Sequence, residues 1–148
     1  MFDKSKTLAL GCDQGGYALK EYIKIKLSES GYSVRDFGAY SPESVDYPDF
    51  AHPVASAVND GQFPMALLIC GSGNGVCMTA NKYAGIRAAL WWNTELSRLA
   101  RSHNDANILC LPGRFITREE ALSAVNIFLT TEFEGGRHQA RIDKIPLD

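Results

Sequence analysis

The chain has 148 residues, 45% of them apolar, with 15 basic and 17 acidic side chains and a net charge of −2. That is the size and balance of one globular domain, 1–148, and it excludes low-complexity disorder, a collagen-like repeat and the basic field that holds a nucleic-acid backbone. Four cysteines without CxxC or paired zinc spacing, and no apolar run of about 18 residues, predict a soluble cytoplasmic protein with reduced thiols, no bound metal and no membrane partner.

Five short apolar runs alternate with longer amphipathic stretches. Thr7 to Cys12 reads as a buried strand that stops at Asp13-Gln14-Gly15-Gly16. Leu19, Tyr22, Ile23 and Leu27 then recur at helical spacing over Tyr17 to Ser30, and Gly31 marks the helix end. Tyr32 to Phe37 alternates as a second strand, followed by a polar loop from Gly38 to Pro48. Asp49 to Asp60 reads as a helix, with Pro53 tolerated only near its first turn. Pro64 to Cys70 is the most apolar strand and runs into Gly71-Ser72-Gly73-Asn74-Gly75, with a short helix over Val76 to Tyr83. Ile86 to Trp91 gives a fourth strand, Thr94 to Ser102 a helix capped by Thr94, and Asn107 to Leu111 a fifth strand. Thr117-Arg118-Glu119-Glu120 is a capping box that opens a helix through about Thr131, and a basic tail begins at Gly135-Gly136. The alternation predicts an α/β fold: a three-layer, doubly wound, five-stranded parallel sheet of Rossmann or flavodoxin type in the order 2-1-3-4-5, with a C-terminal helical tail.

In that order the chain reverses direction between the first and third strands, and ligands bind in the crevice above the reversal. One of those strands delivers Asp13 and Gln14; the other delivers Cys70 and the glycine-rich turn. The turn offers unobstructed N–H groups suited to an anion or a developing oxyanion, or else its glycines serve backbone shape alone. Val76 stands where a dinucleotide fingerprint needs glycine and a cysteine-phosphatase loop needs arginine, and no Walker lysine follows. Cys70 is either a thiol activated by the positive end of the next helix or an inert buried one; Cys12, Cys77 and Cys110 read as packing residues. Asp13 either accepts bonds from sugar hydroxyls or caps a helix, and His103 beside Asn104 either does chemistry or complements a helix dipole. His52 reads as a surface or helix-start residue. Arg137 and Arg141 share one face of a helical tail and suit a phosphate or a solvated basic surface, with Arg114 as a third cation. A helix that follows a parallel strand runs back to the opposite edge of the sheet, so His103 belongs far from Cys70 of its own chain and a second subunit is expected to supply it.

Gly11-Cys12-Asp13, Asp46-Tyr47-Pro48, Cys70 to Gly75, Ala80-Asn81-Lys82, His103-Asn104 and Gly135-Gly136-Arg137-His138-Gln139-x-Arg141, in that order over nearly the whole chain, resemble the type B ribose-5-phosphate isomerases. Their larger family includes the galactose-6-phosphate isomerase subunits. The resemblance implies metal-free and cofactor-free interconversion of D-ribose 5-phosphate and D-ribulose 5-phosphate through an enediolate, within pentose phosphate metabolism. It implies a homodimer or tetramer whose active sites draw on two subunits. Cys70 becomes the base that moves a proton between C1 and C2, with Ser72 near the reacting oxygens and the backbone of Gly71, Asn74 and Gly75 holding the enediolate. His103 helps open the furanose ring with Asp46 and Tyr47 nearby, Asp13 and Asn104 bind sugar oxygens, and Arg114, Arg137 and Arg141 bind phosphate with His138 assisting. Some relatives place a glutamate base just after the glycine loop; Val76 puts this chain with the cysteine-base variety. Many carry histidine after the first-strand aspartate as a substrate or phosphate contact, whereas Gln14 brings a donor without charge. Two other readings stand beside this one: an isomerase of a six-carbon sugar phosphate of the allose or galactose type, and a non-catalytic phosphosugar- or nucleotide-binding module.

Overall fold

The structure, a computed structural model, describes residues 1–147. In chain order its elements are β1 (Thr7–Cys12), α1 (Tyr17–Glu29), β2 (Ser33–Asp36), α2 (Tyr47–Asn59), β3 (Ala66–Cys70) and α3 (Asn74–Ala80). These are followed by β4 (Ala88–Leu90), α4 (Thr94–Ser102), β5 (Ile108–Pro112), α5 (Arg118–Thr130) and α6 (Arg137–Ile142). The strands form one parallel five-stranded sheet, and the expected α/β class holds.

The order is β2-β1-β3-β5-β4, so the last two strands exchange the places the sequence predicts. β5 is Ile-Leu-Cys-Leu-Pro and buried throughout, whereas β4 is three residues, Ala-Ala-Leu, all half-buried. The longer, more apolar strand takes the position with a neighbour on each flank, and the short one takes the edge, where it pairs on one side only. The reversal between β1 and β3 is unaffected, and the crevice remains where the sequence places it.

Strand side chains alternate between two cores. Leu8, Leu10, Leu67, Ile69, Leu109 and Leu111 face one side with α1 and α5, while Ala9, Leu68, Ile108 and Cys110 face the other with α2 and α3. Small residues on the second side, including Ala51 and Ala55 at 0% exposure, let α2 approach the sheet closely.

Local signals decide most of the helix ends. Thr117 Oγ1 accepts the Glu120 N–H and Glu120 Oε1 accepts the Thr117 N–H, both at 3.0 Å, which closes the expected capping box. Asn93 rather than Thr94 caps α4, its Oδ1 accepting the Leu96 N–H at 2.9 Å. α2 begins at Tyr47, before the expected start, so Pro48 fills the first turn and Pro53 falls inside the helix. That proline removes one rung of the α2 hydrogen-bond ladder, and burial of Val54, Ala55 and Val58 offsets it.

Lys20 is among the largest fully buried side chains of the described residues. Its Nζ donates to Asp36 Oδ1 at 2.7 Å, to Oδ2 at 2.9 Å and to the Ala39 carbonyl. The contact fixes the chain as it leaves β2, where the Cys12 N–H donates to Gly38 O and the Ala39 N–H to Cys12 O at 2.7 and 2.8 Å. The loop that leads to α2 is thereby tied to the end of β1.

Candidate active site

Three turns meet at the carboxyl edge of the sheet: Asp13–Gly16 after β1, Gly71–Gly73 after β3 and Gly113–Arg114 after β5. They are held to one another by backbone. The Gly113 N–H donates to Cys70 O at 2.8 Å and the Arg114 N–H to Gly71 O at 3.0 Å. A Cβ on Gly15 would stand 2.6 Å from the Gly71 nitrogen, so only glycine permits this approach. Gly73 has φ +77°, a left-handed value that turns the chain from β3 into α3.

The turns enclose a cleft of about 470 Å³. Cys70 lies at its floor, 4% exposed, and its Sγ accepts the Gly73 N–H at 3.1 Å. Ser72 is exposed above it, its Oγ accepting the Asn74 N–H at 3.2 Å. Among the described residues, the amides of Gly71, Ser72 and Gly75 have no acceptor within the chain and remain available to an anion. The Asn74 amide, expected among these donors, is already engaged by Ser72.

Asp13, 7% exposed, borders the cleft from β1, and its Oδ1 accepts the Gly15 N–H at 2.9 Å. One carboxylate oxygen thus shapes the turn, which combines the two readings the sequence leaves open. Tyr47 reaches in from the start of α2 with its ring packed on Gly75, and Arg114 lays its guanidinium over Gly71. Met78 and Phe115, 66% and 73% exposed, complete an apolar rim that sequence reasoning missed.

Gln14 and Asp46 do not line the cleft. Gln14 Oε1 accepts the Val45 N–H, and Asp46 sits exposed at the N-cap of α2. Asn104 lies at a larger cavity of about 620 Å³ beside β4, which carries none of the thiol, aspartate or free-amide chemistry of the cleft. The smaller cleft, and not the larger cavity, brings together a thiol, a carboxylate and a guanidinium.

His103, Arg137, His138 and Arg141 gather at the other end of the sheet. His103 is the C-cap of α4, just before β5, and roughly 15 Å of strand separates that end from the cleft. The His103 and His138 rings stack at 4.3 Å between centroids and 14° between planes. Glu134, which sequence reasoning missed, faces both: its carboxylate is 3.9 Å from His103 Nε2 and 3.5 Å from His138 Nε2. This trio has the residue types and spacing of a metal site. Near-parallel rings, however, aim their nitrogen lone pairs along separate lines rather than at one centre, so the arrangement suits proton handling better than coordination. Arg137 and Arg141 are exposed on α6, one turn apart, as the sequence expects for a helical tail.

The remaining thiols differ from Cys70 in surroundings. Burial pushes Cys12 up to about 11 and holds it neutral at physiological pH. Cys77 and Cys110 pair across α3 and β5: the bond from Cys110 draws Cys77 below its ordinary value, while burial drives Cys110 well above.

A doubly wound sheet with a thiol, a carboxylate and a ring of unpaired amides at its switch point defines a small-ligand enzyme site of the α/β class. The chain belongs to the ribose/galactose isomerase family, whose model matches residues 8–145. It is similar to ribose-5-phosphate isomerase B of Escherichia coli, 43% identical over 140 residues that cover 95% of this chain and 94% of that one. Among solved structures, the ribose 5-phosphate isomerase of Thermotoga maritima superposes with a TM-score of 0.93 at 48% identity, covering 95% of this chain and 97% of that one. Ribose-5-phosphate isomerase B of Mycoplasma genitalium, solved with bound ribulose-5-phosphate, gives a TM-score of 0.93 at 43% identity, covering 97% and 95%.

Proposed function

We propose that this chain interconverts D-ribose 5-phosphate and D-ribulose 5-phosphate, with Cys70 as the base. The observation that carries the reading is the Cys70 sulfur on the cleft floor, hydrogen-bonded by Gly73 and flanked by the unpaired amides of Gly71, Ser72 and Gly75. Relatives at 43% identity that bear the ribose-5-phosphate isomerase name, one with ribulose-5-phosphate bound, support the substrate.

Once the furanose is open, the Cys70 thiolate removes the C2 proton of the aldose and returns it to C1, while a proton passes from O2 to O1 beside Ser72. Negative charge builds on the enediolate oxygens, where fixed amides stabilise it; a single such donor is worth about 3 kcal/mol in other enzymes. Asp13 binds a sugar hydroxyl and Arg114 draws the phosphate to the rim.

His103, Arg137, His138 and Arg141 act on the sugar of a second subunit. Their separation from Cys70 within one chain supports a homodimer, or a tetramer of such dimers, in which each cleft is completed by the partner. The metabolic character of the relatives and four free thiols favour a cytoplasmic setting, and among the described residues no helix is long and apolar enough to cross a membrane.

Cys70→Ser tests the assignment. Turnover should fall on the order of 10²- to 10⁴-fold while ribulose 5-phosphate still binds in calorimetry. A variant as active as the parent would remove Cys70 from the chemistry, and faster turnover of six-carbon phosphates by the parent would move the substrate.

A further inference from the structure

We infer that Glu134 is a positioning residue for ring opening, holding Nε2 of His103 so that Nδ1 faces the sugar of the neighbouring subunit. The inference rests on the proposed role of His103 and assigns the group that directs it.

Two segments distant in sequence converge here, one carrying His103 and the other carrying Glu134 and His138 four residues apart. His103 ends α4, His138 lies on α6, and Glu134 stands between α5 and α6. The Glu134 N–H donates to Ser102 O at 3.0 Å, which ties this connection to the residue before His103. His138, 8% exposed, forms a flat floor under the His103 ring, which leaves that ring little freedom except rotation in its own plane. The carboxylate removes that freedom, because it faces the Nε2 atoms of both rings. Arg98, paired with Glu95, is the other charged side chain whose field reaches Glu134.

The consequence is a fixed tautomer. With Nε2–H directed at Glu134, Nδ1 carries the lone pair. In ring opening, Nδ1 takes the proton from the anomeric hydroxyl O1, and the C1–O4 bond breaks with its electron pair passing to O4. The imidazolium then returns the same proton to O4. Nothing is consumed, and the transient positive charge on His103 is compensated by the carboxylate. Separations of 3.5 to 3.9 Å are longer than a formed hydrogen bond while the rings are neutral, and they become an ion pair that shortens when the ring is charged.

The test exploits direction. Ribose 5-phosphate enters as a furanose and needs ring opening, whereas ribulose 5-phosphate is an open-chain ketose, and the aldose it yields closes unaided in water. Initial rates are measured both ways for the parent, Glu134→Gln, Glu134→Asp and His103→Asn, with thermal unfolding to check the fold. Glu134→Gln should lose on the order of 10- to 100-fold in kcat on ribose 5-phosphate, far less on ribulose 5-phosphate, and keep its KM; Glu134→Asp should recover part of the loss. His103→Asn should show the same asymmetry. If His103→Asn is asymmetric and Glu134→Gln is not, Glu134 has no such role. If His103→Asn falls equally in both directions, the ring-opening reading fails and the inference with it. Loss of activity on chelation, restored by zinc, would make the trio a metal site and overturn the inference outright.

Discussion

Gln14 Oε1 accepts the Val45 N–H at 2.9 Å across 31 residues of chain. The bond fixes which way the amide faces: its oxygen is committed to the loop before α2, and its NH₂ group is what remains for any ligand. Gln14 thereby holds the loop two residues before Tyr47, which lines the cleft.

Gln14→Leu removes that acceptor and should cost about 1 kcal/mol of stability. Urea unfolding should show a lower midpoint, and initial rates a several-fold higher KM with little change in kcat, as Tyr47 loses its anchor. Gln14→Glu keeps the acceptor, so it should restore the midpoint while its negative charge still raises KM for a phosphorylated sugar. An unaltered midpoint and KM in Gln14→Leu would show the bond to be idle.

Separation of Cys70 from His103 within one chain makes a second prediction. Assayed on ribose 5-phosphate, homodimers of Cys70→Ser and of His103→Asn should each be nearly inactive, while random mixing of the two by co-refolding should restore about a quarter of parental sites, since each mixed dimer regains one intact site. No recovery in verified mixed dimers would place both groups on one chain.

Lys20 and Asp36 supply a third. Burial works against ionised Asp36, but Lys20, the Gly38 amide and Lys24 outweigh it and hold the carboxyl below its ordinary 3.8. A carboxyl depressed in the folded state contributes stability that is complete above its unfolded value and fades as pH falls through the folded one. The parental urea midpoint should thus drop on acidification from about pH 5 to about pH 3, and Asp36→Asn should lose this component of the slope. At neutral pH that variant strands the Lys20 ammonium in the interior and should cost about 3–5 kcal/mol. A neutral-pH midpoint equal to the parent's would show that the pair contributes nothing.

What local sequence could reveal, it revealed. The glycine turn, the Thr117–Glu120 capping box and the alternation of strands and helices are written in neighbouring residues, and each forms as expected. The exchange of β4 and β5 is not local, because it depends on which strand can be buried on both flanks; the sequence reads Ile86 to Trp91 as a full strand, and its shortness emerges only in the fold. Lys20 reads as an ordinary polar helix position, and only the return of the chain from β2 shows what it pairs with. Cys70, Ser72, Asp13, Tyr47 and Arg114 line one cleft. Glu134 stayed hidden because His103 comes to it from a distant segment, although its place four residues before His138 was a clue.

The bed of the cleft is made of main chain. With Gly15 pressed against Gly71, and Gly113 against Gly15, it has almost no side chains to exchange. Adaptation to a longer or shorter sugar therefore falls to the margin, to the exposed Met78 and Phe115. The fold thereby divides its labour: the groups that would hold an anion are cast in the main chain around one thiol, and the choice of guest is left to residues that evolution or design can freely swap.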